Sequence, residues 1–316
     1  MRLLLKTLAL LAAMSGGALA IHLFAFGVEA TDTDLDYQRQ FNERYRIFSL
    51  TLPDKLSFCD EAVPLTKIDV RERLDRELLV NTYWQSNSVL AHKRAARWFP
   101  VIEPILAREG VPDDLKYIAL IESGLTNVVS PAGATGFWQF MKETGIHHGL
   151  EVNAEVDERY NVVKSTEAAC KYLKESKAKY GSWALAAASY NLGPAGLEKQ
   201  IGRQKVNDYF SLLLPEETSR YVFRVLAMKA IITDPERFGF HLREKDLYAP
   251  YRTRSVSVTG PVEDLADFAM RQGTDYKTLK LLNPWLRDIT LTNAKGKVYE
   301  VLLPAEGFDK PADTDE

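Results

Sequence analysis

The chain has 316 residues, 46% of them hydrophobic and 26% charged, a composition that supports two folded domains and excludes wholesale disorder. Its formal net charge of −3 leaves no surplus of lysine and arginine to neutralise a phosphate backbone, so nucleic acid is set aside as a partner. Two cysteines and five histidines do not suffice for a cysteine-rich zinc site or an iron–sulfur cluster. His147 and His148 are adjacent rather than at ligand spacing and read as an exposed loop pair, so no metal or organic cofactor is expected.

Residues 1–30 open on Arg2 and Lys6 and carry no charge from Thr7 to Phe26. Two small-residue cleavage patterns follow, Ala18-Leu19-Ala20 and Val28-Glu29-Ala30, and the whole reads as an export signal. The apolar stretch also approaches the length a bilayer core requires, so a single uncleaved N-terminal membrane span is the alternative. With no cysteine at either pattern, a lipid-modified N-terminal cysteine is excluded. Export to an oxidising compartment lets the two thiols pair, against the alternative that both stay buried and free. We expect a Cys59–Cys170 disulfide tying the N-terminal arm to the helical domain.

Residues 31–66 begin acidic and polar and then carry Pro53 and Pro64, the pattern of an extended arm laid on a domain. From Val70 the spacing turns helical, with Leu74, Leu78, Val89, Ala96 and Phe99 at three- and four-residue steps, so 31–91 forms an arm and a helix. Pro100 and Pro104 are expected to bend or divide that pattern. A second helix starts at Pro112 and ends at Gly124, with Leu115, Ile118, Ala119 and Ile121 on its apolar face. Further helices are predicted over Ser165–Tyr180, Trp183–Asn191 and Pro215–Thr233. With no sustained strand alternation before about residue 245, the span 92–245 reads as one mostly helical domain. Beyond Pro250 the pattern changes. Ser255–Val258 and Val298–Leu303 alternate like strands and flank two helices, Val262–Gln272 and Tyr276–Leu282, which gives a small βααβ domain over 251–304 and a polar tail over 305–316 that frays over Asp309–Glu316. The predicted fold class is mainly α.

Glu122 stands out within this frame. An acid at the end of an apolar helical segment, near the negative end of the helix dipole, is either a core-facing carboxyl with a raised pKa or a helix-terminal glutamate turned to solvent. In the first case it holds its proton near neutral pH, as a general acid must. A second cluster, Ser130 to Phe140, sets small turn formers beside Phe137, Trp138 and Gln139. It suits either a sugar cleft, where amides bind hydroxyls and rings cover sugar faces, or an ordinary turn into a core helix. A third, Ala186 to Pro194, places Tyr190 and Asn191 at a helix end.

Taken in order, these clusters resemble the soluble lytic transglycosylase family in its membrane-bound D-type branch, which has a goose-lysozyme-like helical fold. Glu122-Ser123 resembles the family's Glu-Ser motif, whose glutamate is the single catalytic acid/base. Gly136-Phe137-Trp138-Gln139 resembles Gly-Leu-Met-Gln, Ser189-Tyr190-Asn191 resembles Ala-Tyr-Asn, and Tyr221-Val222 falls where a late helix carries the fourth motif. The resemblance implies an enzyme that cuts peptidoglycan glycan strands between N-acetylmuramic acid (MurNAc) and N-acetylglucosamine (GlcNAc) and leaves 1,6-anhydro ends. It implies Glu122 as acid/base, with Ser123, Gln139, Tyr190, Asn191 and Tyr221 binding substrate or orienting the acid. Glu143 is near in sequence but has no partner pattern. Residues 251–304 resemble a LysM module through Leu279 to Pro284 and Tyr299 to Pro304, with Thr259-Gly260-Pro261-Val262 in place of the usual Gly-Asp-Thr entry. The resemblance implies binding of N-acetylglucosamine polymers there.

Overall fold

A computed structural model describes residues 32–44 and 47–309. The export signal or membrane span expected over 1–30 lies outside the described residues, as do 310–316 of the expected tail. Among the described residues no helix is long and apolar enough to cross a membrane. The chain divides into two units, Met1–Ser49 and Leu50–Glu316. The first contributes α1 (Asp32–Arg44), where an extended arm was expected. Leu35 and Phe41 are exposed, and no apolar stripe announces the helix in the sequence.

The second unit starts with a short hairpin, β1 (Ser57–Phe58) paired with β2 (Glu61–Ala62), turning through Cys59 and Asp60 at positive φ. Helices α2 (Ile68–Tyr83) and α3 (Gln85–Glu109) follow. Pro100 and Pro104, expected to bend or divide the helix, do not divide it: α3 runs through both, and the chain turns at Trp84. Its buried stripe of Phe99, Ile102, Ile105 and Leu106 holds the helix across the two missing N–H donors. After a single turn at Asp113–Leu115 comes α4 (Lys116–Ser123), then α5 (Lys142–His147) and α6 (Val162–Tyr180). Ser182 caps α7 (Trp183–Leu192), α8 (Pro194–Gln204) starts on Pro194, and α9 (Glu216–Thr233) completes the helical part. α8 goes unpredicted because its proline reads as a stop, although proline is equally at home in a first turn.

α9 is the centre of the core. Tyr221, Val222, Phe223, Val225, Leu226 and Ala227 are all buried, and the helix packs on α2, α7 and α4. The alanines of α7 let that helix approach closely.

The C-terminal βααβ arrangement is present as β3 (Thr253–Val258), α10 (Leu265–Arg271), α11 (Tyr276–Leu282) and β4 (Tyr299–Pro304). β3 and β4 are antiparallel, with Val256 opposite Val301. Asn283, fully buried, staples α11 to β4: its Nδ2 donates to the Leu302 carbonyl at 2.6 Å and its Oδ1 accepts from the Leu302 N–H at 2.8 Å. Val156 and Tyr160, which come from the helical part, join the C-terminal core around Leu265, Leu279, Leu286 and Leu303. The backbone of 155–157 bonds that of 285–287, with Asp157 N–H donating to the Trp285 carbonyl at 2.9 Å and Arg287 N–H to that of Glu155 at 2.7 Å. The expected polar tail is ordered at its start, where Phe308 stacks on Tyr251.

The expected disulfide is absent: Cys59 and Cys170 are both free and buried. Cys59 lies in the hairpin turn among Asp114, Glu61 and Lys229, whereas Cys170 faces the core from α6 near Glu109 and Lys174, so their charged neighbourhoods do not overlap. Burial pushes the Cys170 thiol up to about 12 and that of Cys59 higher still, so neither is a ready nucleophile. Native protein should therefore react negligibly with a thiol reagent and show two thiols after unfolding without reductant. One blocked pair on unfolding would establish the bond.

Candidate active site

Glu122 occupies the last turn of α4, three residues after the fully buried Ala119. Gly124, at φ 60°, ends the helix in the left-handed conformation. The carbonyls at this end are held by arginines: Arg224 Nη2 donates to Ile121 O at 2.9 Å and Arg94 Nη1 to Gly124 O at 3.2 Å. These two cations offset the negative end of the helix dipole. Burial is the main cause that raises the Glu122 pKa above the ordinary carboxylate value, with the charge of Glu217 adding to it. The Tyr221 hydrogen bond and the Arg224 guanidinium pull the other way without cancelling it. Glu122 is thus not the solvent-turned glutamate of the alternative reading.

The nearest partner of Glu122 is Tyr221. Its ring is fully buried in α9, and its Oη donates to Glu122 Oε1 at 2.5 Å. Tyr190, in the last turn of α7, also feels the Glu122 charge, and burial holds both phenols far above their usual pKa and therefore neutral. Tyr190 Oη donates to the Trp138 carbonyl at 2.6 Å, which fixes the loop of the second motif against α7. Ser189 is buried within 3.2 Å of Tyr172 Oη, a contact an alanine there would lack.

That loop works through its backbone. Val129, Thr135 and Phe140 form bridges that fold it into a tight β-like turn. Gly136 sits at φ 80°, and a Cβ there would fall 2.0 Å from the Arg159 carbonyl oxygen, so both conformation and close approach demand glycine. The rings expected to cover sugar faces do not: Phe137 and Trp138 are buried, and the Trp138 indole donates to Thr166 Oγ1 at 2.9 Å. Ser123 Oγ lies 3.0 Å from the Ala119 carbonyl and 2.9 Å from that of Phe137, joining α4 to the loop. Gln139, at φ 49°, spends its amide N–H groups on the Gly136 and Val128 carbonyls at 2.7 and 3.1 Å, which leaves Oε1 as the group turned to other donors. Asn191 accepts from Thr218 Oγ1 at 2.7 Å and donates to Glu217 at 3.1 Å.

The fold therefore gathers Glu122, Tyr190 and Tyr221 around one carboxyl, with Ser123 and Gln139 one layer out in the loop frame and Asn191 at the edge beside Glu217. Glu143 is exposed in the first turn of α5. Three residues were missed. Glu217 and Arg224 flank Tyr221 at four- and three-residue steps on one face of α9, a spacing that the sequence does display. Arg159 left no such signal. Its guanidinium donates to the Gly133 and Phe140 carbonyls at 3.3 and 3.2 Å and pairs with Asp157 at 2.7 Å, bracing the loop from the segment that also docks the C-terminal domain.

Residues 100–212 match the transglycosylase SLT domain, and residues 254–307 match the soluble lytic transglycosylase C-terminal LysM-like domain. Two relatives named membrane-bound lytic murein transglycosylase D, from Escherichia coli K12 and Escherichia coli O6:H1, are each 30% identical over 247 residues, which is 76% of this chain and 53% of each relative. The chain spans about half the length of these relatives.

A raised carboxyl pKa costs stability once the group ionises. The folded state binds the Glu122 proton more tightly than the unfolded chain, so stability is full below the ordinary carboxyl pKa and falls as pH rises through the raised one. Glu122→Gln keeps an acceptor for Tyr221 and removes that loss. The variant should melt higher than wild type at pH 7–8, and the gap should close by about pH 4, near the ordinary carboxyl pKa. Equal melting temperatures across that range would contradict the assigned environment.

Proposed function

We propose that this chain, which carries a transglycosylase SLT domain with a LysM-like domain behind it, is a peptidoglycan lytic transglycosylase with Glu122 as its single acid/base. The observation that carries this reading is the half-buried Glu122 carboxyl, raised in pKa and gripped by a fully buried phenol. The names of the relatives support it. The cell envelope is the place of action, as the export signal read from residues 1–30 suggests.

Glu122, entering protonated, gives its proton to the oxygen between MurNAc C1 and GlcNAc C4. The C1–O bond breaks and GlcNAc departs with a free 4-hydroxyl. The 2-acetamido oxygen of MurNAc steadies the cationic C1. Glu122, now a carboxylate, takes the proton of the C6 hydroxyl, O6 closes on C1, and the acid is regenerated without water being consumed. Tyr221 serves both halves: its donated hydrogen bond holds Glu122 in place and stabilises the carboxylate formed in between. Tyr190 and Ser123 hold the loop at the correct height, Gln139 Oε1 and the Asn191 edge meet sugar groups, and the LysM-like domain keeps the enzyme on its polymer.

Glu217 is the observation that favours a second reading, a hydrolytic muramidase using a second carboxylate to activate water. Product mass separates the two, because an anhydro end is one water lighter than a reducing end. Digested sacculi should yield anhydro-muropeptides, and reducing ends alone would establish the muramidase.

Glu122→Gln should lower turnover by at least about a hundredfold, the scale of general acid/base work, while sacculus binding persists. Glu143→Gln should remain close to wild type, and near-normal turnover by the Glu122 variant would remove the assignment. In Tyr221→Phe, loss of the donor to the carboxylate raises the Glu122 pKa further. The alkaline limb of kcat/KM, which reports the free enzyme's acid, should therefore move to higher pH. An unmoved limb would place the titrating acid elsewhere.

A further inference from the structure

His147 and His148, read from the sequence as an exposed loop pair, are not equivalent. His147 ends α5 and is exposed, while His148 is buried, its ring packed against Phe140 and Tyr172 at centroid distances of 6.3 and 5.2 Å. His148 Nδ1 lies 2.9 Å from the Thr144 carbonyl oxygen. A carbonyl only accepts, so Nδ1 carries the proton and the lone pair of the neutral ring sits on Nε2. That lone pair faces Glu175 Oε2 of α6 at 3.3 Å. A proton or a metal ion between the two atoms would make this contact favourable.

The 3.3 Å separation fits a shared metal ion as well as an ion pair, and other ion pairs of this chain are as long, Arg108–Glu109 at 3.5 Å among them. Zinc bonds of about 2.0–2.1 Å to imidazole nitrogen and about 2.0–2.2 Å to carboxylate oxygen, at the tetrahedral angle, set the two ligand atoms about 3.4 Å apart. A third donor is at hand, since one ligand atom each of His147, His148 and Glu175 lies within 4.8 Å of the others. The exposed His147 ring has room to swing inward.

We propose that His147, His148 and Glu175 bind one divalent transition-metal ion of the zinc class, with the fourth position left to water. The Nδ1 hydrogen bond to Thr144 orients His148 for this role, as the partners of metal-bound histidines commonly do. Two nitrogens and one carboxylate favour zinc, cobalt or nickel over magnesium or calcium, which take oxygen ligands. The ion would clamp α5 onto α6 and, through His148, the Phe140 ring that lies 5.9 Å from Tyr190.

The test uses untagged protein, from the residue after the export signal onward, titrated with Co2+ and followed by visible absorption. Low-coordinate Co2+ absorbs far more strongly than the hydrated ion. One saturating equivalent is expected, displaced by Zn2+ and not by excess Mg2+ or Ca2+, with a rise in Tm on binding. His147→Ala and Glu175→Gln each alter an exposed side chain, so both variants should fold, and each should weaken Co2+ binding at least tenfold. Failure to saturate, or affinity unchanged in both variants, would leave a protonated His148–Glu175 ion pair as the explanation and overturn the site. Displacement by Mg2+ or Ca2+ would overturn the assigned metal class. The readout is binding, so the result is independent of whether the chain cleaves peptidoglycan.

Discussion

The hydrogen bond from Tyr221 to Glu122 sets a constraint that much of the helical part serves. A carboxyl in surroundings that disfavour its charge drifts toward solvent unless something holds it, and a phenol fully buried in the central helix holds it at 2.5 Å. For the two groups to meet, α4 and α9 must keep a fixed separation and rotation. Arg224 helps to fix both, since it rises from the same face of α9 as Tyr221 and ties the α4 carbonyl at Ile121. It also sets how far the carboxyl is perturbed, because its charge lowers the pKa that burial raises.

The second support is the loop over 128–140. It has few side chains to offer a ligand: Phe137 and Trp138 face the core, and the Gln139 amide N–H groups are spent on loop carbonyls. What it provides is a rigid backbone beside the acid, closed by its own bridges and braced from outside by Arg159. The Asp157 that pairs with Arg159 belongs to the segment bonded to Trp285 and Arg287. The C-terminal domain is therefore joined to the loop by a short chain of backbone and charge contacts. It is not tethered by a linker alone, and its docking and the shape of the candidate cleft are physically connected.

Much of this was written in the sequence. Helices α4, α6, α7 and α9 were legible because each carries an apolar stripe of helical period and a glycine, proline or serine at its ends, and the βααβ unit because its strands alternate. Glu122 stood out because a charged residue interrupted such a stripe. α1 was illegible for the opposite reason, having almost no apolar stripe to read, and the intact α3 because local rules for proline weigh a missing donor without weighing the packing that compensates for it.

The sequence by itself determined most of the elements, their order and the chemical types available, since these follow from periodicity and from residue-level propensities that act over a few positions. Only the tertiary structure decided which groups meet: Tyr221 and Glu122, 99 residues apart, the two cysteines in separate surroundings, and His148 facing Glu175 of the next helix. Such pairings depend on how buried faces pack in three dimensions. Burial in turn sets the energies of protons, thiols and lone pairs, so the reactivity of each group was fixed only once its neighbours were in place.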